Sequence, residues 1–210
     1  MKRDDLQLYF IMGTGNVFNQ EPIIVLEKAL QSGITMFQYR EKGPNTLTGR
    51  AYENFARKCQ KLCQQYHVPF IINDDVELAI KLRADGVHIG QEDFPVSMVR
   101  KKIGNMILGV SVHSQAELIT ALQYGADYVG IGPIFSTTSK SDAKPPSGTE
   151  FLQQVRGQYP ELPIVAIGGI NCSNTHTVFK AGADGIAVIS AICESEDISN
   201  TVSTFKAFVG

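Results

Sequence analysis

The sequence predicts an α/β fold, a (β/α)8 barrel forming one domain over residues 1–210. Three observations lead there. Short Val- and Ile-rich runs alternate with longer amphipathic stretches along the whole chain. The runs are apolar at consecutive positions, as in strands buried on both faces of a parallel sheet covered by helices. A phrase also recurs where a helical stretch gives way to a run. Arg83-Ala84-Asp85-Gly86, Gly125-Ala126-Asp127-Tyr128 and Gly182-Ala183-Asp184-Gly185 share it, and Gln31-Ser32-Gly33-Ile34-Thr35 is a degenerate copy. Each of the three full copies has a small residue or Gly where a helix stops and an Asp in the tight turn, then a buried strand.

The predicted strands are 8–13, 34–41, 69–74, 86–91, 106–113, 126–134, 163–170 and 185–192. Between them lie helical patterns such as 23–31, 47–66, 76–82, 115–124 and 175–181. Eight units in 210 residues leave about 26 residues each, which makes a lean barrel with short loops. An open doubly wound sheet is the alternative, but no Gly-x-Gly-x-x-Gly turn follows the first strand.

Composition narrows the function classes. A hydrophobic fraction of 43% against 19% charged residues is the balance of a compact soluble domain. With Lys+Arg 19 and Asp+Glu 21 there is no excess of basic residues to build a broad nucleic-acid face. No apolar run approaches the ~18 residues that span a bilayer. Two acids, Asp4 and Asp5, precede the short apolar run that Gly13 ends, so the N-terminus is not a signal peptide and the chain reads as cytoplasmic. Four cysteines are too few for a disulfide scaffold. Cys59, Cys63 and His67 fall on one stripe of a predicted helix, but the spacing matches no zinc motif, and half-buried, inert side chains are the better account.

In such a barrel the chemistry sits at the C-terminal ends of the strands. Strand two ends Gln38-Tyr39-Arg40-Glu41-Lys42, and alternation puts Gln38, Arg40 and Lys42 on one side. Strand three ends Asn73-Asp74-Asp75 and strand four Gln91-Glu92-Asp93. Carboxylates on adjacent strands facing cations suit Mg2+ with substrate phosphates better than an acid–base pair, whose pKa values the cations would depress. Asp75 is the candidate helix cap among them. Strand five ends with Ser111 and His113; the histidine is either a general base or a residue bonded to a neighbouring carbonyl.

The one long connection, 136–148, follows strand six. Its hydroxyls, Lys140 and two prolines have the make-up of a lid that closes over anions. Gly168-Gly169 after strand seven and Ser190 after strand eight stand where such barrels cradle a phosphate on backbone N–H groups. Two anion pockets in one mouth would fit two phosphorylated substrates.

With these residues assembled, the chain resembles the thiamine-phosphate synthase (thiamine-phosphate pyrophosphorylase) family from about residue 8 to 192. The carrying motifs are Gln38-Tyr39-Arg40-Glu41-Lys42, Asn73-Asp74-Asp75, Gly86-Val87-His88-Ile89-Gly90-Gln91-Glu92-Asp93, Gly109-Val110-Ser111, Gly132-Pro133-Ile134-Phe135 with the loop to Lys140, and Gly168-Gly169-Ile170. The resemblance implies a transferase of thiamine biosynthesis. It would join 4-amino-2-methyl-5-pyrimidinylmethyl diphosphate to 4-methyl-5-(2-hydroxyethyl)thiazole phosphate, or its carboxylated form, releasing pyrophosphate with Mg2+ as cofactor. It implies a dissociative course, in which diphosphate leaves before the thiazole nitrogen attacks.

By the same resemblance Arg40, Lys42, Asn73 and Lys140 hold the diphosphate, with Gln38 beside them, and Asp74 and Asp93 ligand Mg2+. Ser111 contacts the pyrimidine. Thr137, Thr138 and Ser139 meet the thiazole, whose phosphate sits on Gly169, Ile189 and Ser190. Ser136 stands where the family usually has Pro, and Ser139 where it usually has Thr; neither change removes a charge or a metal ligand. The partners are small molecules, with no nucleic acid and no membrane; the oligomeric state is left open, although barrels of this size often pair. The rival in the same family is a thiazole tautomerase, which needs neither the Arg/Lys pair nor two metal carboxylates. A non-catalytic phosphate-sensing barrel would have little use for either, and a Schiff-base aldolase would need a strand lysine that the sequence lacks.

Overall fold

The computed structural model describes residues 1–18, 20–43, 46–92, 94–139 and 144–208. Eight parallel strands close in sequence order into a barrel, the eighth pairing back to the first. They are β1 (Leu8–Met12), β2 (Met36–Tyr39), β3 (Phe70–Asn73), β4 (Gly86–Ile89), β5 (Ile107–Val112), β6 (Tyr128–Ile131), β7 (Ile164–Ile167) and β8 (Gly185–Val188). The helices are α1 (Pro22–Ser32), α2 (Gly49–Gln65), α3 (Val76–Leu82), α4 (Val96–Ile103), α5 (Gln115–Gln123), α6 (Glu150–Gln158), α7 (Thr175–Lys180), the single turn α8 (Ser190–Cys193) and α9 (Ile198–Lys206). Consecutive strand residues are buried alternately against the barrel interior and the helices, which is why the runs read as continuously apolar. Among the described residues no helix is long and apolar enough to cross a membrane.

The recurring phrase has a common structural role. Asp85 donates its backbone N–H to the Phe70 carbonyl at 3.0 Å and accepts the Phe70 N–H on Oδ2 at 2.8 Å. Asp127 clamps Leu108 in the same way, at 2.8 Å for both bonds. Asp184 clamps Ile164 at 2.9 and 2.7 Å. In the degenerate copy Thr35 does it to Leu8, with its hydroxyl accepting the strand N–H at 2.8 Å. The four clamps tie β1 to β2, β3 to β4, β5 to β6 and β7 to β8 at the N-terminal end of the barrel. Each meets a strand-entry N–H that would otherwise be buried without an acceptor.

Two arginines reinforce the clamps. Arg156 donates to the carbonyls of Gly182 (2.7 Å), Pro160 (2.7 Å) and Leu162 (3.0 Å) and forks to Asp184 at 2.6 Å. Arg100 repeats this one pair of units earlier, bonding the Gly104, Met106 and Gly125 carbonyls and Asp127. One planar guanidinium thus gathers helix-end carbonyls and a clamp carboxylate, a geometry lysine cannot supply.

Two expectations are corrected. The eighth apolar run does not continue as a strand to residue 192: β8 stops at Val188, Ile189 turns at φ −117 and ψ −82, and Ser190 starts α8. Three apolar residues in a one-turn helix and three in a strand look alike in sequence. His67 does not share a helical stripe with Cys59 and Cys63, because α2 ends at Gln65 and His67 lies beyond it in the left-handed region with φ 56. Both cysteines are fully rather than half buried.

Arg156→Lys is expected to lower stability by roughly 2–3 kcal/mol in urea unfolding, with the site at the opposite barrel end unchanged. Burial pushes the Cys59 and Cys63 thiols up, and that of Cys193 up to about 12; Cys172 is raised less and is only partly buried. Native protein with an aromatic disulfide reagent at pH 8 should therefore show one fast thiol, Cys172, and three more only on unfolding.

Candidate active site

Strand β2 delivers the first group of side chains to the barrel mouth. Tyr39 faces outward and packs on Tyr52 and Phe55 of α2, with ring centroids 5.3 and 5.7 Å away. Its neighbours in alternation, Gln38 and Arg40, share the opposite face and are 1% and 6% exposed. Glu41 fixes the surrounding loops by accepting the backbone N–H groups of Thr14 and Leu47, both at 2.9 Å. Lys42 then reaches β3, where its ammonium pairs with Asp74 Oδ2, and the Asn73 amide donates to the same oxygen.

Asp74 sits in the left-handed region, φ 60, and donates its N–H to the His88 carbonyl at 2.9 Å. Asp tolerates this conformation better than most residues, and such positions concentrate where a side chain must be aimed. The next residue, Asp75, caps α3 by accepting the Leu78 N–H at 2.9 Å, as the sequence predicts. Adjacent carboxylates therefore have different duties. Lys42, Asn73 and Asp74 border a cavity of about 370 Å3. Asp74 offers hard carboxylate oxygens where a cation is already drawn to them, the donor type Mg2+ takes alongside substrate phosphates. Asp93, its expected partner, lies outside the described residues.

The second group gathers on the other side of the mouth. A cavity of about 120 Å3 is lined by Ser111, His113, Thr137, Ser139, Gly169, Ile189 and Ser190, with apolar walls from Ile11, Ile167 and Val188. It adjoins a wider recess of about 670 Å3 that adds Thr138, Asn171 and Cys172. The connection after β6 is stitched to the end of β7: Ile134 donates to the Ile167 carbonyl at 2.9 Å and Phe135 to that of Gly168 at 3.1 Å. Ser139 within it reaches the start of α8, where its hydroxyl donates to that of Ser190 at 3.1 Å. Gly169 has φ 66, and a Cβ there would lie 2.4 Å from the Ser136 carbonyl oxygen, so this crossing requires glycine. Lys140 lies outside the described residues.

His113 bonds a carboxylate rather than a carbonyl. Its ring Nδ1 lies 3.0 Å from Glu117 Oε2, which also accepts the His113 backbone N–H at 2.5 Å, and Lys144 approaches both groups. Burial pushes the Glu117 carboxyl up, but the His113 N–H and ring outweigh it and hold the group below its ordinary value.

Three residues of the site's floor escaped the sequence reading. Tyr9, His88 and Tyr128 lie inside strands, on the barrel interior, among apolar residues. His88 Nε2 is 2.8 Å from Ser111 Oγ, and its Nδ1 is 2.9 Å from the Tyr128 hydroxyl. Tyr128 meets Tyr9 at 2.9 Å, and Gln38 Nε2 donates to Tyr9 at 2.7 Å. The available signal was a histidine within an apolar run, with a glycine, Gly109, at the matching place in the next strand.

The family model described as thiamine monophosphate synthase matches residues 8–192. A thiamine-phosphate synthase from Lysinibacillus sphaericus is 71% identical over 207 residues, covering 99% of this chain and 97% of that one. One from Staphylococcus saprophyticus is 50% identical over 204 residues, covering 97% and 96%. Among solved structures, thiamine phosphate pyrophosphorylase from Pyrococcus furiosus superposes with a TM-score of 0.87 at 33% identity, covering 99% of this chain and 96% of that chain.

Proposed function

The chain belongs to the thiamine monophosphate synthase family, and from that premise we propose that it joins 4-amino-2-methyl-5-pyrimidinylmethyl diphosphate to 4-methyl-5-(2-hydroxyethyl)thiazole phosphate. The products are thiamine phosphate and pyrophosphate. The observation that carries this reading is the division of the barrel mouth: the Arg40–Lys42–Asn73–Asp74 group lies at β2 and β3, and a hydroxyl-lined pocket lies at β6 to β8. One side suits a diphosphate with its counter-cation; the other suits a singly phosphorylated acceptor.

In the transferase step the C–O bond of the pyrimidinylmethyl carbon breaks with its electron pair passing to the diphosphate. The thiazole nitrogen then donates its lone pair to that carbon and becomes the thiazolium. No proton changes hands between the reacting atoms, so the protein needs no general base, and His113 can remain engaged with Glu117. What the chain must supply is charge stabilisation on the departing group. Arg40, Lys42 and Lys140 hold the diphosphate oxygens, and Asn73 orients them. Groups aimed at charge that develops in the transition state are worth roughly 3–4 kcal/mol each. Asp74 and Asp93 would hold Mg2+, which when bound neutralises part of the diphosphate charge.

The acceptor side works by positioning. Thr137, Thr138 and Ser139 contact the thiazole, and Gly169, Ile189 and Ser190 take its phosphate on backbone N–H groups and a hydroxyl. The Ser139–Ser190 bond places the connection after β6 across that pocket. Water kept from the reacting carbon cannot compete with the thiazole nitrogen for it. A biosynthetic enzyme of this kind, with small-molecule substrates, belongs in the cytoplasm.

Purified protein given both substrates and Mg2+ should release pyrophosphate and thiamine phosphate in equal amounts, and a chelator should stop both. Isomerisation of the thiazole without pyrophosphate would make it a tautomerase; binding without turnover would make it a sensor. Lys42→Ala, Lys140→Ala and Asp93→Ala should each lower kcat by about 100-fold or more.

A further inference from the structure

Five side chains from five strands form one unbroken hydrogen-bonded line through the barrel interior: Gln38 on β2, Tyr9 on β1, Tyr128 on β6, His88 on β4 and Ser111 on β5. All five are at most 9% exposed. The line is built into the packing. His88, Gly109 and Tyr128 are register partners on adjacent strands, and a Cβ on Gly109 would lie 2.1 Å from the Tyr128 ring and 2.5 Å from His88 Nδ1. Glycine at 109 is the space that lets the two rings meet.

The line has a direction. Gln38 Nε2 has protons to donate and spends one on the Tyr9 oxygen. Tyr9 then gives its own proton to Tyr128, and Tyr128 gives its proton to His88 Nδ1. With Nδ1 accepting, the neutral imidazole carries its proton on Nε2 and donates to Ser111 Oγ. Burial keeps both tyrosine hydroxyls protonated, since it pushes their pKa values up. With Gln38 turning Nε2 to Tyr9 and keeping Oε1 buried without a partner, reversing the last three bonds would leave Tyr9 accepting twice, with its own proton sealed in the barrel without an acceptor. The Ser111 proton is therefore the one left over, and Ser111 lines the cavity at the mouth. Its backbone is held separately, by Gln91 Nε2 on the Ser111 carbonyl at 2.6 Å.

We infer that Tyr9, Tyr128 and His88 are positioning residues that fix Ser111 as a hydrogen-bond donor to an acceptor nitrogen of the pyrimidine substrate. This rests on the proposed function, in which Ser111 contacts that ring. Without the line, the serine hydroxyl would rotate between donating inward and donating outward, and part of each binding event would go to reorienting it.

The test is a cycle of four proteins: wild type, Tyr128→Phe, Ser111→Ala and the double variant. Tyr128→Phe should raise KM for the pyrimidine diphosphate about tenfold while leaving KM for the thiazole phosphate within about twofold. In the Ser111→Ala background the same change should add nothing further, because the line acts only through that hydroxyl. A structural role would instead shift both KM values, or cost as much with Ser111 absent as with it present; either result overturns the inference. If Tyr128→Phe does not fold, His88→Phe removes the bond to Ser111 itself and should give the same pattern. A wild-type protein that forms no thiamine phosphate would overturn the functional reading along with the line. An active wild type with an unaffected Tyr128→Phe would overturn the line alone.

Discussion

Everything in this barrel hangs on the two-bond grip that the residue before each even-numbered strand takes on the entry of the strand before it. A parallel sheet cannot use tight hairpins, so its register must be set by something other than a turn. Asp85, Asp127, Asp184 and Thr35 set it here: each pairs its backbone and side chain with both polar groups at a strand entry. A slip of one residue would break both bonds and turn the interior side chains toward the helices. Arg100 and Arg156 add the helix ends to the same junctions. Stability is thereby concentrated at one end of the barrel, and the other end is left to chemistry.

That division explains the character of the mouth. Asp74 is held in a left-handed conformation, Gly169 in one that only glycine meets cheaply, and Lys42, Asn73 and Asp74 share one carboxylate oxygen. Such arrangements persist because the strands beneath them are over-determined. The interior is likewise polar only near the site. Gln38, His88 and Ser111 replace the branched aliphatic layer common in barrels of this kind, and the bonds that link them through Tyr9 and Tyr128 make the replacement tolerable.

What could be read from the chain followed from how local its cause was. The clamp phrase recurs because each copy does the same local work, so the strand order, the closed barrel and the degenerate Thr35 copy were all legible. Asp75 was legible as a cap because its partner, Leu78, lies three residues on. The cations and carboxylates at strand ends were legible because charge is conspicuous beside an apolar run. Tyr9, His88 and Tyr128 were not: their bonds join residues 119, 40 and 23 positions apart, and inside a strand each looks like core. The start of α8 was hidden for a different reason, since Ser190 and Ile192 suit a strand as well as a helix turn.

The clamps also have a bearing on how the chain is made. Their sequence separations are 27, 15, 19 and 20 residues, so each pair of strands can close as soon as it is synthesised, at a small loop-closure cost. The seam between β1 and β8 has no such advantage, because its partners, such as Leu8 and Ile186, stand at opposite ends of the chain. Until β8 arrives, the growing protein is an open sheet with two exposed edges, the form most prone to pairing with another copy of itself. The last strand is therefore a seal on the nascent chain, and the interval before it forms is when a chaperone would matter most.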